Sequence, residues 1–214
     1  AAWQPPPHRG NSIPMDILSD TLKSIRFEGA VFFDAHLTAP WCMHGSHGMS
    51  SVMKRLAGAE QVVLFHFVTQ GSCLVRLAEG GEILEARAGD LLLFPHDDPC
   101  LMGSDLHLAP LAADWLLDDG TGASTGSDGM PMRHGGGGVA THVVCGYLAC
   151  SRGLCRALFE ALPRVMRIPI GDGHSATLLR ELLRAGVRES SNAKSGAQST
   201  LAKLAELMFV EALR

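Results

Sequence analysis

The stretch Val68–Asp105, VTQGSCLVRLAEGGEILEARAGDLLLFPHDDPCLMGSD, decides how the chain folds. It alternates short apolar runs with glycine-centred breaks. Gly71–Leu77 reads as a strand, Gly80-Gly81 as a turn and Glu82–Ala86 as the next strand. Ala88-Gly89-Asp90 is a further turn, and Leu91–Phe94 is a strand stopped by Pro95. Gly89 supplies the backbone freedom that a tight turn needs, and Asp90 caps it. Just upstream, Gln61–Thr69 (QVVLFHFVT) is a strong strand pattern. No helical period separates these four strands, so they predict an antiparallel barrel or sandwich.

Working outward, Ala30–Leu37 is a strand ended by Thr38-Ala39-Pro40, and Thr141–Leu148 (THVVCGYL) restores strand character late in the chain. Met15–Ile25 reads as an amphipathic helix with Ile17, Leu18, Leu22 and Ile25 on one face. Residues 1–14, with three consecutive prolines, predict a flexible arm. Asp118–Gly138 is glycine-rich and predicts a long mobile loop, with the role of a lid. Beyond Cys150 the period becomes helical. Gly153–Leu162 is one candidate, and Ser175–Ser190 is the clearest, its stripe made by Leu178, Leu179, Leu182, Leu183 and Val187. After the polar linker Ser191–Ser199, Thr200–Arg214 is a second long helix. The pattern does not close at Arg214: no Gly or Asn caps the helix, and the chain is expected to continue into a further unit. The expected fold is thus α+β and mainly β, with an arm at 1–14, a barrel with its leading helix at 15–150, and a helical subdomain at 151–214.

Composition limits the functions open to such a fold. The chain has 214 residues, 46% of them hydrophobic and 19% charged, enough apolar material for a real core. Lys plus Arg number 18 against 22 for Asp plus Glu, a net charge of −4, so no basic face for gripping nucleic acid unaided is implied. The longest apolar runs fall far short of the ~20 residues that span a bilayer. The first residues lack the apolar core of an export signal, so a cytoplasmic protein is expected. In that reducing compartment the six cysteines (Cys42, Cys73, Cys100, Cys145, Cys150, Cys155) read as thiols or ligands rather than disulfides. There is no GxSxG motif, no Cys–His pair in a recognisable context and no phosphate loop around the glycine run.

The combination of Gly71, Ala88-Gly89-Asp90-Leu91 and Phe94-Pro95-His96 resembles the cupin double-stranded β-barrel. A wider set, in order along the chain, resembles the cupin-type N-terminal domain of AraC-family transcription regulators. It comprises Pro40-Trp41, Phe65-His66-Phe67 with Gly71, the AGDLLLFPH run, Arg133-His134 with Gly135–Gly138, Cys145-Gly146 and the terminal LAKLAELMFVEALR. The match covers about Met15 to Arg214. It implies a barrel that holds a small-molecule effector, helices that pair with a second copy, and contact with DNA only through a helix-turn-helix domain that follows. The usual cupin metal set, an HxH pair with a Glu and a later His, is not matched: no HxH precedes Gly71, and Cys100 stands at the later position.

Candidate site residues follow from residue chemistry. His66 alternates with Phe65 and Phe67, so a period of two places it on the opposite face, where it can point into the barrel and meet a ligand. Arg76, His96 and His134 are further ligand-binding candidates. Cys42, His44, Cys150 and Cys155 are candidate zinc ligands: thiolate and imidazole suit zinc at four tetrahedral positions, provided that the barrel's first and last strands are neighbours. The alternative to the regulator is a stand-alone metallo-cupin enzyme, a dioxygenase or isomerase, built on such a Cys/His site.

Overall fold

A computed structural model describes residues 26–45, 56, 59–113, 132–150, 159–170, 173–190 and 195–213. The arm at 1–14, the leading helix Met15–Ile25, His47, Cys155 and most of the proposed loop lie outside these residues.

The described residues form two sheets and two long helices. The strands are β1 (Phe27–Thr38), β2 (Cys42–Gly45), β3 (Gln61–Gln70), β4 (Ser72–Leu77), β5 (Leu84–Arg87), β6 (Asp90–Phe94), β7 (Cys100–Gly103), β8 (Leu111–Ala112), β9 (Met132–Gly135), β10 (Ala140–Cys150) and β11 (Met166–Pro169). The helices are α1 (His174–Ser190) and α2 (Ala197–Leu213). One sheet runs β11-β6-β3-β10-β1-β9 and the other β5-β4-β7-β2-β8. Apart from the parallel pairs β1–β9 and β2–β8, neighbouring strands are antiparallel. The chain crosses repeatedly between the two sheets, which face each other as the halves of a cupin-like barrel.

The opening stretch folds as its glycines require. Gly71 has φ +74° and packs so closely on the Ala140 carbonyl that a Cβ would not fit. The Gly71 carbonyl accepts from Ala88 N, and the Val68 carbonyl accepts from Gly89 N, whose own φ is +97°. The Asp90 carboxylate accepts from Arg87 N at 2.9 Å, the expected cap of this turn.

Several elements correct the sequence reading. Met132–Gly135 is not loop but β9, parallel to β1, and the glycines after it lie against the Thr38-Ala39-Pro40 turn. Gly136 N donates to the Thr38 carbonyl at 3.0 Å and Gly138 N to the Ala39 carbonyl at 2.8 Å. Cβ atoms at Gly136 and Gly138 would collide with Pro40 and with the Ala39 carbonyl, so the run serves close packing here rather than a lid. The short strands β2, β7, β8 and β11 were not legible. β11 pairs with β6, so after the helical residues Phe159–Ala161 the chain returns to the barrel before α1.

Strand alternation divides the apolar residues into two cores. Val31, Leu37, Leu64, Val68, Leu92, Phe94 and Tyr147 fill the space between the sheets. Ala30, Phe32, Val63, Phe65, Leu93 and Leu148 face outward from the six-stranded sheet and are covered by α1 and α2. The predicted stripe of α1 is spent on this contact: Leu179, Leu182 and Leu183 are buried, with Leu178 and Val187 packed beside them. Leu201, Ala205, Met208 and Phe209 of α2 complete the layer.

Candidate functional site

The space between the sheets holds a cavity of about 510 Å³, its mouth included. Strand β1 contributes Phe33, Ala35 and Leu37, and β3 contributes Leu64 and His66. Met43, Met102 and Met132 come from β2, β7 and β9, Cys100 from β7, and Cys145 and Tyr147 from β10. Gly45 and Ala113 complete the described part of the wall. Among these residues none is Asp, Glu, Lys or Arg. The predominantly apolar lining is typical of small-molecule sites.

His66 is the polar centre. It stands opposite Cys145 on the neighbouring strand, and its Nδ1 lies 2.9 Å from Cys145 Sγ. Its ring meets Phe94 edge-on at 5.8 Å between centroids. Burial pushes the imidazole down to about 4, because the protonated form loses its hydration there. Burial likewise raises the Cys145 thiol well above its ordinary range and pushes Cys100 up to about 12. Both partners of the His66–Cys145 contact are therefore neutral at physiological pH.

Of the four ligand-binding candidates, the cavity wall contains His66 alone. Arg76 lies on β4 between Val75 and Leu77, which face the interior, so alternation turns it to the outer face of the five-stranded sheet. His96 sits in the turn after β6, where Nε2 lies 3.1 Å from the Leu162 carbonyl and ties this turn to the segment after β10. His134 is two residues beyond Met132 on β9, on the same face but outside the lining. Alternation within Thr141–Leu148 was a usable signal that Cys145 and Tyr147 share a face. That they meet His66 depends on the register between β3 and β10, which no local pattern carries.

The described members of the zinc arrangement, Cys42, His44 and Cys150, are not brought together. The first and last long strands, β1 and β10, are neighbours as it required, but Phe27 pairs with Cys150 while Thr38 pairs with Ala140. Cys42 follows the Thr38 end, so roughly 36 Å of strand separates it from Cys150. Cys150 also belongs to the core beneath the helices, and His44 and Cys42 alternate with the cavity residues Met43 and Gly45. Nor do the described lining residues match the cupin metal set: they offer one imidazole and two thiols. No group of three or more His, Cys, Asp or Glu residues suited to a metal occurs among the described residues.

A second polar cluster occupies the outer face of the six-stranded sheet. His36 and His142 stack at 3.9 Å between centroids, with an interplanar angle of 7°. Asp34 Oδ2 lies 3.2 Å from His36 Nε2, and Arg133 is the β9 neighbour of His36. Burial, then the neighbouring His36, lowers the affinity of His142 for a proton.

Over 159 residues the chain is 26% identical to a putative AraC-like transcription regulator of Streptomyces antibioticus, a match covering 73% of this chain and 48% of the relative. The chain thus spans about half the length of that relative. Among solved structures, apo ToxT of Vibrio cholerae aligns with a TM-score of 0.44 at 8% identity, covering 85% of this chain and 53% of ToxT. A cupin protein of Bacteroides fragilis aligns with a TM-score of 0.32 at 16% identity, covering 56% of this chain and 66% of that one. The cupin family model matches residues 16–214, nearly the whole chain, and on that match, with the two-sheet barrel already described, the protein belongs to the cupin family.

Proposed function

We propose that this chain is the ligand-sensing domain of an AraC-like transcription regulator, in which occupancy of the barrel cavity biases the helices that lead to a DNA-binding domain. The observation that carries this reading is the two-sided construction of β1. Phe33 of β1 lines the cavity, while the adjacent Phe32 faces outward and packs under α1 at Gly186, where a Cβ would sit 2.6 Å from the Phe32 ring. Where β9 does not cover it, β1 is held by the helices. Phe32 N donates to Ser190 Oγ of α1 at 2.9 Å, and Phe27 N donates to Glu206 Oε1 of α2 at 3.3 Å. A ligand that moves β1 therefore acts directly on both helices. The energetic requirement is that it bind one arrangement of strand and helices better than another.

The relative's name supports the regulatory half of this reading. The absence of an HxH pair before Gly71 in the sequence, and Cys100 in place of the later His, support binding over metal-dependent catalysis. No helix among the described residues is long and apolar enough to cross a membrane. Self-association is part of the proposal. Because the main helix stripes are committed to the barrel, a second copy would meet the outer helix faces, where Leu207 is 43% exposed.

The test begins with the gene. Reading beyond the codon for Arg214 is expected to reveal further helix-turn-helix units, and the full-length product is expected to bind its own upstream DNA with an affinity that a cavity ligand changes. A stop codon at that point, or DNA binding indifferent to ligands that occupy the cavity, overturns the reading.

A further inference from the structure

The chemistry of the cavity wall also selects the ligand. This step rests on the sensing role proposed above and adds the ligand's class. Two features carry it: the lack of charge among the described residues of the wall, and the fixed orientation that Cys145 gives to His66.

The first feature limits charge. The described lining contains no cationic side chain to receive a carboxylate or phosphate and no carboxylate to receive an amine. An ion entering this space would lose its hydration without gaining a charged partner among the described residues. The wall instead offers thioethers. Met43, Met102 and Met132 converge from three strands, and methionine sulfur adapts to apolar and aromatic bodies.

The second feature supplies one directed hydrogen bond. Two arrangements satisfy the 2.9 Å contact between His66 Nδ1 and Cys145 Sγ: the thiol donates to the ring, or the ring donates to sulfur. An unprotonated ring nitrogen is a strong acceptor and a thiol sulfur a weak one, so the thiol donates. The proton of the neutral ring then resides on Nε2, which has no hydrogen-bond partner among the described residues. Cys145 thus acts as a positioning residue that fixes the tautomer, and His66 presents an N–H donor in an apolar space.

We infer that the cavity takes an uncharged, largely apolar molecule carrying a carbonyl-type acceptor, and that this acceptor receives its hydrogen bond from His66 Nε2–H. Binding requires no covalent step and no proton transfer.

Three probes of similar size and shape test this by calorimetry on the purified chain at neutral pH: benzylacetone, isopentylbenzene and hydrocinnamate. The first has a ketone, the second replaces it with a branched hydrocarbon, and the third carries a carboxylate. Benzylacetone and isopentylbenzene are expected to bind, and hydrocinnamate at least tenfold more weakly than benzylacetone. His66→Leu should weaken benzylacetone about tenfold, the effect of one lost hydrogen bond, and leave isopentylbenzene unchanged or tighter. If neither neutral probe binds, the sensing cavity itself is overturned. If both bind but His66→Leu changes neither, or if hydrocinnamate binds best, the cavity stands and the ligand class is overturned. A measurement without substitution guards against a variant that fails to fold. Nitrogen-15 shifts of His66 in the unaltered protein should show a protonated Nε2 and an unprotonated Nδ1, and the opposite tautomer refutes the donor assignment.

Discussion

The two faces of the six-stranded sheet are built from adjacent residues of the same strands, yet they are packed for different ends. The outer face is tight and aromatic. Gly146 lies between Phe32 and Phe65 on the flanking strands, and its missing side chain lets those rings approach to 5.3 Å across the central strand. A Cβ at Gly146 would strike the Val31 carbonyl and the Phe65 ring. Gly186 of α1 then seats directly on Phe32. A mid-helix glycine costs about 1 kcal/mol, and the close helix approach offsets it. The inner face, one residue away along each strand, carries Phe33, His66 and Cys145 around a cavity. The lesson is a division of labour by alternation: one face holds the helices in place, the other leaves room for a ligand.

If that division is correct, truncation of the outer face does the greatest harm. Phe65→Ala removes a fully buried ring from the layer under α1 and is expected to cost about 3–5 kcal/mol in chemical denaturation, with a lowered denaturation midpoint. A loss below about 1 kcal/mol would mean that the helices do not depend on this face.

Acid should expose the inner face next. The His66 imidazole is held down to about 4, against about 6.5 when unfolded. Between these values the unfolded chain binds the proton and the folded chain does not, so stability falls as pH drops from about 6.5 towards 4. The full loss amounts to about 3 kcal/mol. Melting curves across this range should show the slope in the native protein and a much shallower one in His66→Leu. The shallower slope persists because His142 is shifted in the same direction.

The connection between the faces gives a smaller effect. Ser190→Ala deletes the acceptor of Phe32 N and leaves a partly buried N–H unpaired, a cost of about 1–2 kcal/mol. Its sharper consequence concerns signalling: ligand affinity should persist in the full-length regulator while the ligand's effect on DNA binding weakens. Unchanged coupling would show that β1 does not drive the helices through this bond.

How much of this was legible in the sequence follows from the range of each signal. The turn at Gly89-Asp90, the alternation around His66 and the stripe Leu178–Val187 are local, and each appears as read. Strands β2, β7 and β9 were missed because short segments shared with a neighbour's hydrogen bonds carry little pattern of their own. The Gly135–Gly138 run read as flexible because glycine marks both freedom and close approach, and only the Thr38-Ala39-Pro40 turn beside it decides between them. The site was half visible: alternation pointed His66 inward, but Cys145, Met43, Met102 and Met132 join it only through cross-strand register. The same non-local cause separates Cys42 from Cys150 in the zinc set, at opposite ends of the β1–β10 pair.

The finest distinction between the faces comes from a substitution that should hardly touch stability. Met102→Leu keeps the volume and the apolar character of an inner-face residue, so it is expected to cost less than about 1.5 kcal/mol. The thioether is nevertheless lost, and a branched side chain cannot follow a ligand's contour as methionine does. Denaturation should therefore scarcely separate this variant from the parent, while benzylacetone affinity falls several-fold. A variant equally silent in both measurements would reduce the methionine wall to plain filling. A large loss of stability would mean that the inner face is as tightly packed as the outer one, and the division between the faces would fail.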